Sequence, residues 1–325
     1  MDTVPRVNVV LTCTKRKRHA APSALQLRSY AADAPGQRLA RWLAALAASA
    51  VEEPRVPLCD LYAGDHWQKG CELPAAATAR GMDARLWVCS AGYGLVPADA
   101  PVRPYSATFS RGNPDAVWRS GDGGTHAQGV EAWWRGVSEW EGPQPGAPRT
   151  VEALARTDPG AAVWVVASST YLNAMRADLA AAAGALDEED RLVLVSAGCR
   201  GLPGLERNFL HFDWRLQGSG GPLAGAAMSL NVRVALLLLQ GGSETSADAL
   251  NERLRSILGS IPARTPVTRR RVSEAEVEGY LRAELAARPD ARKTPLLRKL
   301  RSEMGWAFEE KRFGRLFDRL HAVHS

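Results

Sequence analysis

Four stretches of the chain are apolar without alternation: residues 7–13, 85–91, 162–168 and 191–197. A strand with one wet face alternates polar and apolar residues, whereas a strand covered on both faces does not. The pattern therefore predicts four buried strands. Helical spacing of apolar positions falls between and after them, over 37–50, 172–183, 226–240 and 246–258. Strands alternating with helices predict an α/β fold with a mainly parallel central sheet flanked by helices. Two stretches interrupt the rhythm. Residues 110–128 carry Gly112-Asn113-Pro114-Asp115 and Gly121-Asp122-Gly123-Gly124, a long loop that a compact domain rarely keeps without a use. Residues 141–149 form a Pro/Gly connector.

A boundary is expected near Ile261-Pro262, separating an α/β domain over 1–262 from a small helical module over 263–325. In the module, Ser273 stands as an N-cap with Glu276 at the capping-box position, and two further helical pieces fall within 295–321. Charge sharpens this division. The chain carries 41 Lys and Arg against 35 Asp and Glu, a net +6. From Arg264 onward 15 Lys and Arg face 9 Asp and Glu, so the whole surplus sits in the module and residues 1–263 sum to zero. A basic helical appendage on a neutral domain predicts a polyanionic partner, of which double-stranded DNA is one. Arg269, Arg270, Arg271, Lys311 and Arg312 are its candidate contacts, on a winged-helix-like or helix-turn-helix-like unit.

No apolar run is long enough to span a bilayer, and Met1 to Pro5 lacks the basic and apolar regions of a secretory leader. A cytoplasmic protein without membrane association is the expectation. The five cysteines form no C-x-x-C pair and no zinc spacing, so neither a structural metal nor a cofactor is expected.

The four strands end alike, in Thr12-Cys13-Thr14, Ser90-Ala91-Gly92, Ala167-Ser168-Ser169 and Ser196-Ala197-Gly198. In a parallel sheet these carboxyl ends share one edge, where ligands of open α/β folds bind. Small residues there admit a ligand close to the backbone and leave amides free to donate. The turns that follow supply the candidate chemistry: Lys15 and Lys17, then Tyr93 and Tyr105, then Tyr171 and Asn173, then Arg200. There is no G-x-x-x-x-G-K-[ST], no G-x-G-x-x-G after the first strand and no G-x-S-x-G, so the usual supports of nucleotide hydrolysis, dinucleotide redox and serine-hydrolase chemistry are missing. Rings beside cations suit a base stacked in a pocket with its phosphate alongside. Asp60 and Asp115 are the two carboxylates able to stabilise charge at a sugar or activate water, though each is also an ordinary cap or turn residue. Lys15 and Lys17 can contact phosphate or offer an amine, with phosphate favoured.

Three blocks, "LTCTKRK", "LCDLYAGDHW" and "CSAGYGLVPADAPVRPYSATF", carry a resemblance. Ser90, Tyr93, Gly94, Leu95, Pro97, Pro104 and Tyr105 match an S-A-x-Y-G-L…P-Y pattern, and Asp60, Leu61, Tyr62, Gly64 and Trp67 a D-L-Y pattern. The chain thereby resembles a bacterial family of unknown function related to the DNA-binding peroxide-stress protein YaaA and to the catalytic domain of archaeosine synthase. Over residues 6–240 it looks like a phage-defence DNA glycosylase acting on glucosylated hydroxymethylcytosine. The resemblance implies a uracil-DNA-glycosylase-like three-layer fold, although the first loop lacks the G-Q-D-P-Y of uracil glycosylases.

The expected enzyme flips a modified base of phage DNA into the strand-end pocket, hydrolyses its N-glycosyl bond and leaves an abasic site. Asp60 or Asp115 would act at the sugar, and Tyr93 or Tyr105 would stack on the base. Cys13, Thr14, Tyr62, Ser90, Gly92, Ser168, Ser169, Tyr171 and Asn173 would line the substrate, with Lys15, Lys17 and Arg200 on flanking phosphates. With no amine clearly placed as nucleophile, a monofunctional enzyme is expected. The alternatives are a base-exchange or other nucleic-acid modification enzyme, and a non-enzymatic DNA-binding stress protein.

Overall fold

The structure, a computed structural model, describes residues 4–48, 55–199, 201–217, 223, 227–261 and 269–324. The chain forms two compact units, Met1–Pro262 and Ala263–Ser325. Among the described residues the main sheet of the first has five strands: β1 (Arg6–Thr12), β2 (Asp83–Ser90), β3 (Gly94–Pro97), β4 (Ala162–Val166) and β5 (Leu192–Val195). Their order across the sheet is β3-β2-β1-β4-β5. β2, β1, β4 and β5 are parallel, and β3 folds back antiparallel on β2.

Burial explains why the sequence of β1 does not alternate. Val7, Val9, Val10 and Leu11 are all sealed from solvent, because helices cover both faces of the sheet. Each such side chain contributes about 1.5–3 kcal/mol relative to exposure. Asn8, polar in an apolar strand, accepts a hydrogen bond from Trp87 Nε1 at 3.0 Å. One packed group of helices comprises Pro35–Ala47, His126–Glu139, Val151–Thr157, Ser169–Ala174 and Arg176–Ala185. Another comprises Asp65–Cys71, Leu73–Thr78 and Leu230–Gly241, which lies against β4 and β5.

Two elements differ from expectation. Gly94-Leu95-Val96-Pro97 is too short to stand out as a strand, yet it pairs with Trp87 to Ser90. The helix expected over 172–183 is broken at Met175 into two. The connections also fix where a ligand can enter. From β1 the chain passes to β2 on one side, then returns past β1 to β4 on the other. The crevice beyond the carboxyl end of β1 is therefore a topological switch point.

Among the described residues the second unit has three helices, Glu274–Ala287, Lys293–Ser302 and Glu310–His324, around Val277, Leu281, Leu285, Leu300 and Phe313. The Ser273–Glu276 capping box is formed in both directions. Arg270–Arg271 pairs with Trp306–Ala307 in parallel. A wing is an antiparallel hairpin, so this ladder does not make the winged-helix feature expected from the sequence. Among the described residues no helix is long and apolar enough to cross a membrane.

Candidate functional site

At the switch point opens a cavity of about 520 Å³, within the range that holds small ligands. Its floor and walls come from the ends of β1 and β4 (Thr12, Cys13, Thr14, Ala167, Ser168), from Lys15 and Lys17, and from distant segments contributing Arg28, His66, Ser106, Asp115, Tyr171 and Asn231.

Backbone pairing holds these segments in place. The loop after β1 is zipped to residues 61–63: Arg18 N donates to Leu61 O at 2.9 Å and Ala63 N to Arg16 O at 3.0 Å. Lys17 and Tyr62 thus sit opposite each other in an antiparallel bridge. On the other wall Leu27 N donates to Ser106 O at 2.9 Å and Thr108 N to Asp115 O at 3.0 Å. Asn231 ties two strand ends together, accepting from Ala197 N at 2.7 Å and donating to Ala167 O at 2.9 Å.

Lys17 is the distinctive cation of the cavity. Its Nζ lies 4.4 Å from the Tyr105 ring centroid and 5.6 Å from that of Tyr62. It donates to Thr14 O at 3.4 Å, and no carboxylate pairs with it among the described residues. Burial pulls its pKa below the usual lysine value, against the smaller opposing effects of Cys13 and Asp115. Beside it Cys13 Sγ lies 3.0 Å from Tyr171 OH, and the Tyr171 ring meets Phe109 edge-on at 4.8 Å.

Asp115 is the carboxylate of the cavity, and its oxygens are fully engaged. Arg28 donates to it from its backbone N at 3.0 Å, from Nε at 2.9 Å and from Nη2, and Ser106 Oγ donates at 2.8 Å. Burial alone would raise its pKa, but the bonds from Arg28 and Ser106 outweigh that and hold it below the ordinary carboxylate value. It is ionised at neutral pH with no oxygen free to take a proton from water. His66 adds a group whose pKa burial lowers, so its ring is neutral. Its Nε2 is 3.3 Å from Thr12 Oγ1, and its buried Nδ1 has no partner among the described residues.

The loop after β2 behaves differently. Ser90 Oγ accepts from Gly92 N at 3.1 Å and Tyr93 N at 3.0 Å, and lies 2.6 Å from Tyr105 OH. Tyr105 OH in turn is 2.7 Å from Tyr62 OH. The carbonyls of Ala91 and Gly92 accept from the indoles of Trp133 and Trp42, both at 2.8 Å. Arg149 donates to the carbonyls of Tyr93 and Leu95, and Tyr93 OH is bonded to the backbone of Arg103. A buried polar group is costly unless paired, and here every one named is paired.

These placements correct several expectations. Tyr93 and Tyr105 are 2% and 0% exposed, so neither ring has a face free to stack on a flipped base. Gly92 is buried and does not line the cavity; it makes room for Tyr105, whose ring would stand 2.4 Å from an added Cβ. Ser90 and Tyr62 are likewise buried beneath the cavity rather than lining it. Asp60 is exposed on the short helix Leu58–Leu61, away from the cavity lining. Ser169 and Asn173 bond each other within one helical turn and do not line it either. Of the predicted residues, Cys13, Thr14, Lys15, Lys17, Asp115, Ser168 and Tyr171 do line it. Arg200 lies outside the described residues.

Arg28, His66, Ser106 and Asn231 were not foreseen. Asn231 alone carried a signal, being polar at the start of the apolar helix Leu230–Gly241. Among the described residues no three His, Cys, Asp or Glu gather where a metal ion could sit.

In the second unit the predicted cations are partly spent. Arg270 pairs with Glu276 at 2.8 Å and Arg312 with Glu274 at 2.8 Å, while Arg269 donates to Arg301 O at 3.2 Å. Arg271 and Lys311 are exposed, and Lys311 lies one turn from the exposed Arg315 on the last helix, whereas Arg319 pairs with Glu278 at 3.1 Å. Comparison with protein-family models, with curated proteins and with solved structures finds no match to this chain.

Proposed function

We propose that the chain is a DNA glycosylase of anti-phage defence, with a uracil-DNA-glycosylase-like arrangement of its sheet and helices. It draws a modified base, glucosylated hydroxymethylcytosine, out of phage DNA into the strand-end cavity and breaks the N-glycosyl bond. The observation that carries this reading is the composition of the cavity: three cations, Lys15, Lys17 and Arg28, beside one ionised carboxylate, Asp115, among hydroxyl and thiol groups. Breaking an N-glycosyl bond builds positive charge at C1′ and sends negative charge out with the base. Asp115 supplies a fixed negative field for the first, and hydroxyl donors such as Ser168 and Tyr171 serve the second. Lys15 suits a flanking phosphate, while Arg28 is held on Asp115. The open basic face of the last helix adds sequence-independent affinity for duplex DNA.

The test uses purified protein with phage DNA carrying glucosylated hydroxymethylcytosine and with unmodified DNA in parallel. Mass spectrometry should find free modified base from the first and none from the second. Tight binding without release from either DNA would overturn the glycosylase and favour a DNA-binding protein.

A further inference from the structure

A glycosylase needs a nucleophile at C1′, and the usual choice is a water activated by a carboxylate. This cavity does not offer that arrangement. Asp60 is outside it, and Asp115 spends its oxygens on Arg28 and Ser106. It does offer an amine. We propose that Lys17 Nζ is the nucleophile, attacking C1′ of the target deoxyribose and forming a Schiff base, so that the enzyme is a glycosylase and an abasic-site lyase in one. The inference deepens the proposed glycosylase activity and rests on it.

Three observations bring Lys17 to this role. Lys17 lines the cavity, and its amine is held over the Tyr105 ring by the pairing of residues 16–18 with 61–63. Among the described residues it has no carboxylate partner that would keep a lysine charged and occupied, and its hydrogen bond goes to a backbone carbonyl. The other cations of the lining are a guanidinium, Arg28, and an amine open to water, Lys15. Desolvation lowers the amine's pKa and raises the fraction carrying a free electron pair at neutral pH.

The step balances as follows. The Nζ lone pair forms a bond to C1′ while the C1′–base bond breaks, its electron pair leaving with the base, which takes a proton from solvent. The nitrogen loses a proton and the sugar ring opens as the C1′–O4′ bond breaks, O4′ taking up a proton and leaving an iminium at C1′. Loss of a C2′ proton to water then expels the 3′ phosphate, the C3′–O bond breaking with its pair on the phosphate. Water hydrolyses the imine and restores the amine.

Cyanoborohydride reduces an iminium to a stable amine, so it should trap a covalent protein–DNA species. Two substrates keep the two ideas separable: duplex DNA with a preformed abasic site, and phage DNA with the modified base. On abasic DNA, wild-type protein should be trapped, and digestion with mass spectrometry should place the sugar adduct on Lys17. Lys17→Arg keeps the positive charge but cannot form the imine, and its trapping should fall to that of DNA lacking an abasic site. Base release without trapping would overturn the Lys17 proposal and leave the glycosylase standing. An adduct mapped to another amine would overturn it too, whether or not the variant folds. Trapping at Lys17 without base release from modified DNA would support the amine and overturn the glycosylase.

Discussion

Two loops leave neighbouring parallel strands of one sheet, and they do opposite things with their polar residues. The loop after β1 presents Cys13, Thr14, Lys15 and Lys17 to a cavity. The segment from the end of β2 through β3 to Tyr105, richer in the residues that suggest a site, closes Ser90, Gly92, Tyr93 and Tyr105 into the core and pairs each polar group with another. Polarity at a strand end therefore does not mean availability. What separates the loops is whether the hydrogen-bonding capacity is used up within the protein. In the second loop two indoles and an arginine arrive to use it; in the first, Lys17 is left with a ring face and one carbonyl. The second loop is thus a platform whose uppermost ring supports the amine of the first.

This contrast breaks most easily at Gly92. An alanine there would drive its Cβ to 2.4 Å and 2.5 Å from two atoms of the Tyr105 ring and to 3.2 Å from Trp42. The ring is held by bonds to Ser90 and Tyr62 and cannot swing aside. Gly92→Ala should cost about 3 kcal/mol, read as a lowered denaturant midpoint. An unchanged midpoint would mean the platform yields.

Tyr105→Phe is a subtler break, deleting the central hydroxyl of the Ser90–Tyr105–Tyr62 chain without changing the packing. It leaves two buried hydroxyls with a lost partner, for about 2 kcal/mol. Because the ring face under Lys17 remains, the adduct at Lys17 should still form in whatever fraction stays folded. Loss of the adduct in folded protein would give the hydroxyl chain a chemical role.

Asp115→Asn acts on the cavity wall instead. Arg28 is half exposed, so water can solvate it after the change, and the cost should be about 1 kcal/mol at neutral pH. Its pH dependence is the sharper reading. Asp115 has a folded pKa below the unfolded value, so its contribution is full above the unfolded carboxylate pKa and is lost as pH falls through the folded one. The gap between wild type and Asp115→Asn should therefore close on acidification, in unfolding curves measured from pH 7 downward. A gap constant with pH would show that the charge is not what the pair contributes. At the small end, Asp60→Asn should move stability by under about 0.5 kcal/mol and leave any activity intact, as for an exposed residue.

Much of the fold was legible because it depends on hydrophobic period alone. The unbroken runs of β1, β2, β4 and β5 mark strands covered on both faces, and Ser273 with Glu276 marks a helix start within four residues. β3 escaped because four residues ending in Pro97 carry too little pattern, and its pairing depends on β2. The parallel ladder of the second unit escaped because Arg270 and Trp306 are far apart in sequence and only two residues long on each side.

The site divides along the same line. By itself the sequence determined that four strand ends carry small and hydroxyl residues, that a lysine-rich loop follows the first, and that the surplus charge sits from Arg264 onward. Those properties are local, written in neighbouring residues. Tertiary structure alone decided which of the polar groups remain free. Trp42 reaches Gly92 across 50 residues, Tyr62 reaches Tyr105 across 43, and Arg28 reaches Asp115 across 87. A hydrogen-bond donor can be spent only once, and whether it is spent depends on partners that folding brings from elsewhere in the chain. That is why the aromatic loop became the support beneath the cavity, and Lys17 became the group left facing it.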